Sequence, residues 1–221
     1  MTSRLRVLGA CALLLLGACA APGPVEPPSD RFGLSAQPQV HVVHHPPRRA
    51  FLSDTGFMMA DVFRSQVIQK NLDLQDPVIH VKDRLIATLQ RDIGLKNLRA
   101  VPDVSSDGTI DTFKERYPSG AVLELRTYGW GMEYDRAKYA ASAYLTNLAD
   151  SKLLWSTTCE WVILDQNKSG PDNELDGGAL RQALYANNGA LLKAKLREAA
   201  EICADQIALR LMSPGDHRRR K

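Results

Sequence analysis

The chain has 221 residues, 44% hydrophobic and 24% charged, proportions close to the globular average that exclude wholesale disorder. Its formal net charge of +3 falls to +1 without Arg4 and Arg6 in the first eighteen residues, which excludes an electrostatic case for nucleic-acid binding. The length fits one domain plus a tether.

Residues 1–6 form a basic start and residues 7–16 an apolar run, the two leading parts of an export signal. The run falls well short of the roughly 20 residues that a membrane-spanning helix needs. It closes on Leu16, Gly17, Ala18 and Cys19. A branched apolar residue, two small residues and a cysteine resemble the bacterial lipobox, in which a peptidase cuts before the cysteine and its sulfur carries a diacylglyceryl group. The resemblance implies a signal peptide over 1–18, acylation of Cys19 with palmitate-type chains, and tethering to a membrane facing the periplasm. Three acyl chains, at about 0.8 kcal/mol per buried methylene, hold far better than one myristoyl chain. Ala20 stands where an aspartate resembles an inner-membrane retention signal, so the analogy points to the outer membrane.

Residues 19–39, with prolines at 22, 24, 27, 28 and 38, read as an extended tether of at most about 60 Å at 3.1 Å per residue. A single domain is expected over 40–213, and a disordered basic tail over 214–221. Residues 40–43 suit a short strand, stopped by Pro46 and Pro47. The stretch 51–70 fits either a strand or a helix. Asp76 before Pro77 signals a helix start, and Val81, Leu85, Leu89 and Ile93 repeat at helical spacing up to Gly94. A short strand over 95–101, a polar turn over 103–108 and a short helix over 109–117 follow.

Three extended runs, 121–130, 139–148 and 153–164, suggest an antiparallel meander, with residues 149–152 as a hairpin connection. In the first, Ala121, Leu123 and Leu125 point inward and Glu124 and Arg126 outward. After a polar loop over 166–178, residues 179–185 read as helical and a long helix begins at Ala190. Two amphipathic helices need a sheet face to cover. The expected class is α+β, a mostly antiparallel sheet with two main helices on one face; the opposite face, bearing Arg126, Tyr128, Tyr144 and Thr146, is open to solvent or a partner.

Cys11 leaves with the signal and Cys19 is consumed by lipid, which leaves Cys159 and Cys203. In an oxidising periplasm such a pair is a disulfide candidate. Cys159 shares a strand face with Trp155 and Trp161, and Cys203 lies in the helical stripe Leu192, Leu196, Ala199, Cys203, Ile207, Leu211, so two core-facing positions can meet. Two separate buried thiols are the other reading.

His41, His44 and His45 cluster in sequence but lie beside a proline break in what reads as a surface segment, so solvated or hydrogen-bonded histidines are expected and no metal. Tyr128, Trp130 and Tyr134, with Gly129 and Gly131 interleaved, form an aromatic patch at a strand end. It suits either a partner contact or hairpin-end packing, and the glycines allow a bulge or a close backbone approach. The terminal run His217, Arg218, Arg219, Arg220, Lys221 suits a solvated tail or anionic headgroups.

No G-x-S-x-G elbow, Walker loop, dinucleotide fingerprint, Cys-x-x-Cys pair or zincin helix occurs, so neither an enzyme nor a cofactor is expected. A lipobox, a proline-rich tether and one α+β domain ending in a long helix are similar in plan to small accessory lipoproteins of ABC-type and intermembrane lipid-transport systems, and to lipoprotein partners of outer-membrane assembly machines. The resemblance implies a non-catalytic accessory or scaffold subunit of an envelope complex. The alternative is a periplasmic binding module for lipid, glycan or peptidoglycan.

Overall fold

The computed structural model describes residues 28–53, 58–102, 108–133, 136–164 and 177–213; the proposed signal, Cys19, Tyr134 and the basic tail lie outside them. In chain order the elements are β1 (Val40–His44), β2 (Phe51–Ser53), α1 (Met58–Asn71), α2 (Val78–Ile93), β3 (Leu98–Ala100), α3 (Ile110–Arg116), β4 (Ala121–Glu133), β5 (Arg136–Asn147), β6 (Leu153–Leu164) and α4 (Gly177–Met212). The sheet runs β3-β1-β4-β5-β6, and β2 pairs with the far end of β4. The two long ladders, β4–β5 and β5–β6, are antiparallel and form the meander, whereas β1 joins β3 and β4 in parallel. The class is α+β with a mostly antiparallel sheet.

Each main helix buries the stripe that its spacing defines. In α2, Val81, Leu85 and Leu89 have no exposed surface, and in α4, Leu192, Cys203 and Ile207 have none. Gly94 closes α2 at φ 67°, a left-handed conformation in which glycine has no Cβ penalty, and its N–H returns to the Leu89 carbonyl. Asp76 serves the other end: its Oδ1 accepts from the Val78 N–H at 2.9 Å. Helix α4 is broken at Ala186–Gly189, where Asn187, Asn188 and Gly189 take positive φ. These residue types visit the left-handed region at least cost, and the break falls in the gap between 185 and 190 that the sequence leaves. No helix among the described residues is long and apolar enough to cross a membrane.

The helices and the facing side of the sheet enclose one core. Leu123, Leu125, Tyr139 and Leu145 meet Leu85, Leu89 and Ile207 there. Cys159 of β6 and Cys203 of α4 are joined across this layer, their Cα atoms 5.5 Å apart. A smaller cluster, Val43, Phe113, Tyr117, Val122 and Leu148, lies where α3 covers a corner of the opposite face.

Two expectations are corrected. The tether does not run free to residue 39: Leu34 is in the main core, Ser29 N donates to the Met212 carbonyl at 3.3 Å, and Asn97 Nδ2 donates to the carbonyls of Leu34 and Gln37. After the prolines of 20–28, Leu34 enters the core with Phe32 packed against it, and this burial together with those hydrogen bonds holds the stretch on the domain. Nor is the histidine segment a surface one. β1 is an inner strand with all five residues buried, Val40 and Val42 toward the helices and Val43 toward α3. A strand covered on both faces loses the alternation that would have marked it.

Candidate functional site

The aromatic patch is built by a bulge. Thr127 pairs with Ala141 and Gly129 with Ala140, so Tyr128 is an extra residue in β4. One inserted residue shifts the alternation of the strand by one. Before the bulge Leu123 and Leu125 face the core; after it Trp130 does, opposite Tyr139. Trp130 is 2% exposed, and its Nε1 donates to the Arg48 carbonyl at 2.7 Å. Tyr128 is pushed outward and is 72% exposed.

β2 completes the patch, and Phe51, half exposed, stands beside Tyr128. Phe51 pairs with Gly131 so closely that a Cβ at Gly131 would lie 1.9 Å from the Phe51 carbonyl oxygen. Between the two rings is an open cleft of about 300 Å³, with Trp130 at its base and Lys138 and Glu160 on its wall. Of the residues the sequence singles out, the structure thus places Tyr128 on the surface and Trp130 beneath it. Phe51 gave no signal, because nothing in its neighbourhood distinguishes a strand from a helix.

A polar hub supports the patch from the core side. Asp76, buried, accepts from the Arg48 N–H at 2.9 Å, the Val78 N–H at 2.9 Å and Thr127 Oγ1 at 2.7 Å. Burial raises its pKa above the ordinary carboxylate value, and the hydrogen bonds from Thr127, Arg48 and Val78 oppose the rise. Arg48 is thereby held twice, by Asp76 through its N–H and by Trp130 through its carbonyl. The start of α2, the bulge and the Trp130 ring are fixed as one unit.

The three histidines have separate partners. The His41 ring stacks on Tyr117 with centroids 4.1 Å apart. His44 Nδ1 lies 3.0 Å from the buried Lys82 Nζ, which also donates to the Val101 carbonyl at 2.9 Å. His45 Nε2 contacts the Glu124 carboxylate, which Arg126 binds from the other side. Glu124 points away from the helices, as its alternation requires, and is nevertheless buried under these partners. Among the described residues, no three His, Cys, Asp or Glu side chains are grouped to hold a metal ion.

At the far side of the sheet β6 is an edge strand, with β5 as its partner among the described strands. Arg210 of α4 reaches it and donates to the Thr158 carbonyl at 2.6 Å. A groove of about 660 Å³ lies between the start of β6 and the end of α4, lined by Leu153, Trp155, Leu209 and Arg31 among others.

No family model matches the sequence, and no curated protein matches it. Solved structures resemble it in chain course. PelC from Paraburkholderia phytofirmans, in a dodecamer, is 12% identical over 86% of this chain and 96% of that one, with a TM-score of 0.38. A DUF330 protein from Xanthomonas campestris is 13% identical over 86% and 89%, with a TM-score of 0.37. A lipoprotein from Neisseria meningitidis is 14% identical over 66% and 95%, with a TM-score of 0.27. Likenesses this distant assign neither an activity nor a partner to the chain.

Proposed function

We propose that this chain is a lipid-anchored lipoprotein of the bacterial envelope, held through Cys19 on the outer membrane facing the periplasm, and that it acts without catalysis as an accessory or scaffold subunit of a membrane complex, with a transport system the first candidate. The address rests on residues 1–19. The role rests on one observation, the exposed Tyr128 and Phe51 rings flanking an apolar cleft on the sheet face that the two main helices leave uncovered. Tyrosine is among the residues that dominate protein interfaces. Covering the exposed part of such a ring stabilises a contact by roughly 2–3 kcal/mol before ordering costs. The bulge and the hydrogen bond from Thr127 to Asp76 fix the backbone that carries the ring, which lowers the ordering cost of binding.

The alternative, a module that takes lipid or glycan between helices and sheet, is less well supported, because the described part of that layer is filled by leucines with no exposed surface.

Two experiments test the reading. Metabolic labelling with palmitate should mark the wild-type chain and not Cys19→Ser; equal labelling would remove the anchor. Extraction in mild detergent followed by mass spectrometry should recover a permease, ATPase or outer-membrane assembly protein in near-stoichiometric amount. Recovery should fall in Tyr128→Ser, and undiminished recovery would take the contact away from this face.

A further inference from the structure

A second cavity, of about 300 Å³, lies at the opposite end of the sheet, where β1 and β4 begin. Its walls carry Arg99 of β3, Arg116 in the last turn of α3, and Ser119; its floor carries His41 and Tyr117. The topology forces this convergence. Arg99 is the register partner of His41 across the parallel β1–β3 ladder, and α3 delivers Arg116 and Tyr117 onto the same face.

Three features separate it from a patch of solvated arginines. Among the described residues, no aspartate or glutamate lines it. Neither guanidinium has a hydrogen-bonding or ionic partner among the described residues. And two side chains in its floor, both more than nine-tenths buried, carry polar atoms without partners among the described residues, His41 Nδ1 and Tyr117 Oη. A buried polar group left unpaired costs about 1–3 kcal/mol, so two side by side at the base of a basic cavity call for a ligand that supplies hydrogen bonds.

We propose that this cavity binds a phosphate group. Each guanidinium is a planar fork that engages two oxygens. Two forks with a hydroxyl and an imidazole exceed what the two oxygens of a carboxylate can satisfy and suit the larger oxygen set of a phosphate. Burial, and then the Arg99 charge, keep His41 below its ordinary pKa, while a backbone hydrogen bond to Ser119 pulls it upward. An oxyanion in the cavity adds to the upward pull, toward the imidazolium that donates from both nitrogens.

The phosphate has two sources, a phospholipid headgroup or a free phosphate ester. Location favours the headgroup. The segment that brings the chain in from its N-terminus, pinned at Ser29 to the end of α4 and at Leu34 and Gln37 to Asn97, runs directly into Gln39 on the cavity wall. This preference alone rests on the anchored reading above; the binding chemistry does not.

The test is calorimetric titration of the full chain, solubilised in a non-ionic detergent, with inorganic phosphate, glycerol 3-phosphate and dihexanoyl phosphatidylglycerol, and with acetate as the control. Saturable binding of at least one phosphate compound, ten-fold or more tighter than acetate and weakened at least ten-fold in both Arg99→Gln and Arg116→Gln, is the expected result. Both arginines are exposed, so these variants keep the fold, and unchanged melting curves verify it. Tighter binding of the phosphatidylglycerol than of glycerol 3-phosphate assigns the source to lipid, and the reverse order assigns it to a free ester. No saturable binding, or binding that survives both substitutions, overturns the proposal. The palmitate experiment reads the anchor separately, so the two can fail independently.

Discussion

Thr127 Oγ1 donates to Asp76 Oδ1 at 2.7 Å across 51 residues of sequence, tying the bulge of β4 to the residue two before α2. Asp76→Ala would leave the Thr127 hydroxyl and the N–H groups of Arg48 and Val78 without their acceptor, and each buried orphan costs about 1–3 kcal/mol. The variant should lose several kcal/mol in urea unfolding. A loss below about 1 kcal/mol would mean that the hub does not fix the patch.

The pH dependence of two carboxyls has opposite sign. Burial raises the folded-state pKa of Asp76 above the ordinary carboxylate value. Its proton therefore contributes stability that is fully present below that value and is lost as pH rises through the folded pKa. Asp205 is lowered, chiefly by its hydrogen bond from Arg84, which holds both its oxygens. Its contribution is present above the ordinary carboxylate value and is lost as pH falls through the depressed pKa; because the pair is solvent-exposed, the effect is small. Subtracting unfolding curves of Asp76→Asn and Asp205→Asn from wild type across pH 2.5–7 should give two traces that bend in opposite directions.

Tyr128 and Trp130 stand two residues apart and should separate contact from stability. Trp130→Ala empties a core position and removes a hydrogen bond, a loss of about 3–5 kcal/mol. Tyr128→Ser should shift unfolding by less than about 0.5 kcal/mol and weaken partner recovery. If Tyr128→Ser destabilises as much as Trp130→Ala, the exposed ring belongs to the fold.

Gly131 has φ 132° and no room for a Cβ against Phe51. Gly131→Ala should drive β2 from β4, with backbone strain of about 1–3 kcal/mol. Amide hydrogen exchange at 51–53 should accelerate while β5 and β6 keep their protection; unchanged exchange at 51–53 would show that β2 tolerates the methyl group.

The Cys159–Cys203 bridge closes a loop with a sequence separation of 44. The chain-entropy relation gives on the order of 4 kcal/mol for that length, less any strain. Cys203→Ala, or reduction of the wild type, should lower unfolding stability by about this amount. No change on reduction would mean that the reduced chain keeps the two elements together in its unfolded ensemble.

What the sequence determined by itself was periodic or local. The α2 stripe from Val81 to Leu89, its glycine stop at 94, the three-strand meander, the gap in α4 near Asn187 and the convergence of Cys159 and Cys203 all follow from repeat spacing and residue-specific backbone preferences, which act over a few neighbours. Burial from two sides was different. His41 through His45 reads as a surface segment, since polar residues beside Pro46 carry no sign that β3, β4, α2 and α3 will close around them. Glu124 reads as outward, which is correct for its direction and silent about its cover. The glycines at 129 and 131 announced a bulge or a close approach; which aromatic ring it would expose was fixed by the one-residue shift at Tyr128 and by β2 crossing at Gly131. The Arg99–Arg116–His41 cavity draws on three elements spread over 75 residues, and parallel pairing of β1 with β3 leaves no local signature. Contacts between distant segments depend on strand order and on which layer covers which face, and those were decided by the tertiary packing alone.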